Sequence, residues 1–83
     1  MKRLTLRTFM ARHKDKDIRF VSPGPFASQL VVLSYKKPRT NVWAEILVAV
    51  PDWFAALTMA NHAQGRFHKA AEVREVLGLS GER

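Results

Sequence analysis

Gln29-Leu30-Val31-Val32-Leu33-Ser34-Tyr35, then Lys36-Lys37-Pro38-Arg39-Thr40-Asn41, then Val42-Trp43-Ala44-Glu45-Ile46-Leu47-Val48-Ala49-Val50 follow one another without a break. The first run is β-rich and apolar at successive positions, as in a central strand covered on both faces. In the third, Val42, Ala44, Ile46, Val48 and Val50 fall on one face and Trp43, Glu45, Leu47 and Ala49 on the other, the alternation of a strand. The six residues between them are turn formers, so the stretch predicts an antiparallel hairpin with a cationic tip.

Upstream, Ile18 to Ser22 reads as a third, short strand, with Ile18 and Phe20 facing one way and Arg19 the other. Pro23-Gly24-Pro25 then forces an irregular connection, because neither proline can donate to a ladder. The segment before it reads two ways. Leu4, Leu6 and Thr8 alternate as in a strand, whereas Leu6, Phe9, Met10 and His13 recur at helical spacing. The helix over residues 5–13 is preferred, with Thr5 as N-cap and Lys14-Asp15-Lys16-Asp17 as its polar exit.

Downstream, Pro51 ends the hairpin and can open a helix, and Asp52 suits the positive end of a helix dipole. The pattern predicts one helix from about Asp52 to Gln64 and, after a break at Gly65, a second from about Arg66 to Leu77. Trp53, Leu57, Phe67 and Leu77 are the expected core residues. Gly78 followed by apolar Leu79 reads as a left-handed C-cap, with residues 80–83 a frayed tail. The resulting order is α-β-β-β-α-α: one small α+β domain, residues 1–83, with helices on one face of an antiparallel sheet of about three strands.

Eighty-three residues hide only about 60–65% of the unfolded surface, so a single modest core is expected. No cysteine is present, which removes disulfides, zinc ribbons and thiol chemistry and suits a reducing compartment. The charge at Met1-Lys2-Arg3 is not followed by the apolar stretch of a secretory signal, since Arg7 and Arg12 interrupt it. The least polar stretch, Ile46 to Ala60, is too short and is broken by Pro51-Asp52, so no membrane span is expected. The chain reads as a soluble cytoplasmic protein.

The net charge is +7, and it is uneven. From Met1 to Val42, ten Lys and Arg stand against Asp15 and Asp17, leaving +8. From Trp43 to Arg83, four stand against five acids, leaving −1. Such a split points to a polyanion or an acidic protein surface as partner.

Catalysis finds no support in the residue pattern. Ser22, Ser28 and Ser34 have no histidine near them in sequence, and no nucleophile-elbow motif occurs. Asp15 and Asp17 alternate with lysines as in a solvated turn. His13, His62 and His68 match no metal-ligand spacing, and no phosphate-binding glycine motif is present. No enzyme activity, metal or cofactor is expected.

The hairpin tip is the leading candidate site. Lys36, Lys37 and Arg39 crowd a loop stiffened by Pro38, with Tyr35 and Trp43 at its base. Cations with a neighbouring aromatic can take phosphates and stack bases; Trp43 reads equally as core. Arg3, Arg7, Arg12, Lys14 and Lys16 form a second basic set, Arg3, Arg7 and Lys14 lying on one side if the segment is helical. Arg66, Lys69 and Arg74 on the last helix are offset by Glu72 and Glu75, unlike a recognition helix. The expected function is non-enzymatic nucleic-acid binding (DNA or RNA) through Lys36, Lys37, Arg39, Tyr35 and the basic N-terminal segment. The alternative is an inhibitor or adaptor docking its basic face on an acidic protein surface; a homodimer built on the uncovered sheet face is a third reading.

Overall fold

A computed structural model of the chain describes residues 3–24 and 29–78. At its centre is the hairpin. Strand β3 (Leu30–Lys36) pairs antiparallel with β4 (Trp43–Ala49), in register from Leu30 opposite Ala49 to Lys36 opposite Trp43. Strand β2 (Ile18–Pro23) adds antiparallel to β3, with a bulge between Phe20 and Ser22.

The sheet is larger than its three clear strands. Strand β1 (Arg3–Thr5) runs parallel to β4, and β5 (Arg66–Phe67) runs antiparallel to β2. The order is β1-β4-β3-β2-β5, a mixed five-stranded sheet, which corrects the expectation of about three antiparallel strands. The added strands hold three and two residues, too few for alternation to register. They are strands because an unpaired edge beside them supplies hydrogen-bond partners, a tertiary effect on the chain.

The helix reading of the first segment holds from Leu6, and the strand reading through Leu4, Leu6 and Thr8 fails beyond Thr5. The strand ends at Thr5, and α1 (Leu6–Arg12) starts at once, burying Leu6, Phe9 and Met10. Thr5 caps it: its Oγ1 accepts from the Thr8 N–H at 3.2 Å. Asp52 does the same for α2 (Trp53–Asn61), accepting from the Ala55 N–H at 2.9 Å, so Pro51 lies before the cap.

The expected helix over Asp52–Gln64 stops at Asn61, and the one expected over Arg66–Leu77 is replaced by a two-residue strand and a shorter helix. A 3₁₀ turn (His62–Gly65) leads into β5, and α3 (Ala70–Val76) follows. Ala63, Gln64 and Gly65 take successive left-handed conformations, φ 41°, 63° and 78°, which swings the chain back to the sheet edge. Glycine suits the third position because a Cβ there would sit 3.1 Å from the Phe20 Cβ. Gly78 closes α3 with φ 74° and its N–H donating to the Glu75 carbonyl, as the sequence predicts; Leu79 and the tail at 80–83 lie outside the described residues.

All three helices cover one face of the sheet. Val31, Leu33, Ile46, Val48, Ile18 and Phe67 meet Phe9, Met10, Met59, Ala70 and Val73 in a continuous core. Phe67 is in it and Leu77 packs at its border, but Trp53 and Leu57 are 66% and 43% exposed and Phe54 71%. That corrects the expected core. Helix α2 is apolar nearly all round, so periodicity does not select its inner side; Met59, with Ala55 and Ala56, is what faces the sheet.

Candidate functional site

Among the described residues, no helix covers the opposite face of the sheet. By strand alternation it presents Arg3 on β1, Trp43, Glu45 and Leu47 on β4, Val32, Ser34 and Lys36 on β3, Arg19 on β2 and Arg66 on β5. The Arg19 guanidinium lies over the Trp43 ring, 4.3 Å from its centroid. Reaching there from β2 takes it across Ser34, which is only 4% exposed. Arg19 and Arg66 are direct partners across the β2–β5 ladder.

Next to this face is the hairpin tip. The Lys37 N–H donates to the Val42 carbonyl at 2.9 Å, and Thr40 ties the turn from both sides. Its hydroxyl donates to the Lys37 carbonyl and accepts from the Val42 N–H, each at 3.1 Å. Arg39 adopts φ 62°. This defined turn turns Lys37, Pro38 and Arg39 out to solvent, while Lys36, inside β3, is half-buried.

The turn between α1 and β2 packs beside the tip. The Lys36 N–H donates to the Asp17 carbonyl at 3.1 Å, and Asp15, Lys16 and Asp17 share a shallow depression with Lys36, Lys37 and Arg39. Lys69, entering α3, donates to the Asp15 carbonyl at 3.1 Å. The tip, the α1–β2 turn and the start of β2 and the end of β5 therefore meet at one end of the sheet. Lys16, Lys36, Lys37 and Arg39 gather there with Arg19, Arg66 and Lys69, and with Asp15 and Asp17 among them; Lys14 is exposed in the α1–β2 turn.

Not every sequence candidate joins them. Arg3 is opposite Leu47 and Arg7 is on the first turn of α1, both toward the other end of β4. Arg12 ends α1 on the helical side. Tyr35 also turns to that side. Its ring stacks on His13 at 3.9 Å and meets Phe9 edge-on at 6.3 Å. Lys16 Nζ donates to His13 Nδ1 at 3.2 Å and sits 5.0 Å from the Tyr35 centroid. Burial, then the charges of Lys16 and Arg12, hold the His13 pKa below its ordinary value.

The aromatic residue on the open face is Trp43, and the cations around it that sequence reasoning left out are Arg19 and Arg66. Alternation in Ile18-Arg19-Phe20 placed Arg19 outward; only the pairing of β5 brings Arg66 beside it. His62, His68 and Glu72 form a structural clamp. Glu72 Oε2 accepts from the His68 N–H at 2.8 Å and Oε1 lies 3.1 Å from His62 Nε2, contacts that lower the Glu72 pKa. Among the described residues no group of three His, Asp or Glu could hold a metal ion, and no helix is long and apolar enough to cross a membrane.

At the far end from the tip, Trp53, Leu57 and Ala60 of α2 line an apolar groove of about 350 Å³ with Phe20, Leu30 and Val50. The molecule thus carries a cationic end with an aromatic beside it and an apolar end opposite. No protein-family model, curated protein or solved structure matches the chain.

Proposed function

We propose that the protein is a small, non-enzymatic, cytoplasmic nucleic-acid-binding accessory protein that takes the phosphate backbone at the hairpin end of its sheet. The observation that carries this reading is convergence. Cations distant in sequence (Lys16, Arg19, Lys36, Lys37, Arg39, Arg66 and Lys69) meet at one end, outnumbering Asp15 and Asp17 there, beside the half-buried Trp43. Concentrated cations favour polyanions, and an adjacent aromatic suits bases. An acidic protein surface would use the same cations and leave Trp43 without a flat partner.

Labelled oligonucleotides titrated at two salt concentrations test the reading. Affinity should fall steeply as salt rises, because bound phosphates release counterions. Replacing Lys36, Lys37 and Arg39 together by Ser should weaken binding by tenfold or more at about 0.1 M salt. Stability should change by less than about 0.5 kcal/mol per site, as the tip packs no core. Absence of binding to any oligonucleotide at about 50 mM salt overturns the nucleic-acid reading in favour of an acidic protein partner.

A further inference from the structure

We propose that the ligand is single-stranded nucleic acid laid across the bare face of the sheet, with a base stacked on Trp43 and Arg19, Lys36 and Arg66 on the adjoining phosphates. The inference rests on the nucleic-acid reading and narrows it to one strand form and one face.

Three observations lead there. First, Arg19 and Arg66 are partners across the β2–β5 ladder and line one depression with Trp43, the Arg19 guanidinium turned away from Arg66 onto the Trp43 ring. Among the described residues neither has a carboxylate within ion-pair distance. These cations beside an aromatic ring leave room for a phosphate: Asp17 lines the same depression without pairing with either arginine, and Glu45 stands two strands away beside Ser34.

Second, Trp43 holds the centre of this set. Lys36 is its direct cross-strand partner and Arg19 covers its ring. An exposed guanidinium–ring contact is weaker than a base–aromatic stack, so a base can displace Arg19 from the ring toward a phosphate. Arg19 then serves as a place-holder that keeps the ring clear of the sheet while the ligand is absent.

Third, the surface is a broad sheet face and not a projecting ribbon. A duplex keeps its bases stacked inside and offers such a face only phosphates, whereas a single strand offers both phosphates and the flat faces of bases. The tryptophan is used only by the second ligand.

The experiment uses Trp53→Phe, which leaves Trp43 as the one tryptophan of the two in the chain. Oligo-dT and oligo-rU of about 12 nucleotides, a hairpin duplex of the same charge and inorganic polyphosphate are titrated against Trp43 emission. Single strands should quench it and bind about tenfold tighter than the duplex; the DNA and RNA arms identify the sugar. Trp43→Leu should cost about tenfold for single strands and leave polyphosphate binding unchanged. Arg66→Ser should weaken single-strand binding while leaving the melting temperature of the free protein unchanged, since it removes an exposed side chain. Equal binding of single strand, duplex and polyphosphate with unquenched Trp43 overturns this inference and leaves the nucleic-acid reading standing. Failure of every polyanion to bind removes both. A dimer in light scattering that buries Trp43 assigns the face to a second copy and overturns it as well.

Discussion

His13 shows how one side chain ties the basic turn to the core. Its ring is stacked on Tyr35, touches Phe9, and accepts from Lys16 through Nδ1, an arrangement that requires the neutral imidazole. Burial first, and then the charges of Lys16 and Arg12, lower its pKa from the ordinary 6.5. A histidine depressed in the fold takes up its proton more readily in the unfolded chain. The stability it contributes is therefore present above about 6.5 and is lost as pH falls from there through the folded value. The melting temperature should drop between about pH 7.5 and 5.5, and His13→Phe, which can keep the stack, should flatten that drop. Glu72 shifts in the same sense, but its loss begins below the ordinary carboxylate value of 4.5, so the two windows separate. An equal slope in the variant would place the acid sensitivity elsewhere. None of this is legible from the sequence, where His13 is simply the last apolar-side position of a helix. The choice between Tyr35 and Trp43 as the outward aromatic was legible in principle. They differ in phase along their strands: Tyr35 follows the buried Val31 and Leu33, and Trp43 alternates with the buried Ile46 and Val48.

Helix α2 marks where periodic reading stops. Trp53, Phe54, Leu57 and Met59 lie around most of its circumference, so any of several stripes could face the sheet. Packing selects the one centred on Met59, which is fully buried, and leaves three large side chains outside. Met59→Ala should then cost about 2–5 kcal/mol, as for other emptied core sites. Trp53→Ala should cost less than about 1 kcal/mol, because it removes a surface side chain. Paired denaturant titrations check this, and the reverse ranking would mean that α2 is turned on its axis. The three longer strands, the cap at Thr5 and the glycine stop at Gly78 were readable, because each is written in neighbouring residues, whereas Asp52, read as a dipole partner in a helix opened by Pro51, is the cap itself. β1 and β5 were not. Arg66-Phe67 carries no strand pattern of its own, and the left-handed run through Ala63 and Gln64 that delivers it to the sheet has no glycine until its third residue.

The molecule spans 33 × 30 × 23 Å, which is several screening lengths. The excess of positive charge in the first half was visible at once, but sequence position does not say where charge collects. The fold separates Arg3 and Arg7 from the tip and recruits Arg66 and Lys69 from the acidic half. This allows a test of whether net charge or local arrangement governs binding. Lys37→Ser with Arg39→Ser, and Arg3→Ser with Arg7→Ser, each lower the charge of +7 by two. Arg3 is opposite Leu47, four residues along β4 from Trp43, or about 13 Å at strand spacing. At about 0.15 M salt the Debye length is about 8 Å, so a phosphate held at the tip is largely screened from Arg3. The tip pair should lose about tenfold in single-strand affinity, and its log–log salt dependence should become shallower by about 1.4, the share of two phosphate contacts. The distant pair should stay within about twofold with its slope unchanged, since neither cation meets a phosphate. Equal losses from the two pairs would mean that overall charge draws the ligand and that the clustering at the tip contributes nothing. Because both pairs carry the same formal charge change and neither touches the core, the comparison separates place from quantity.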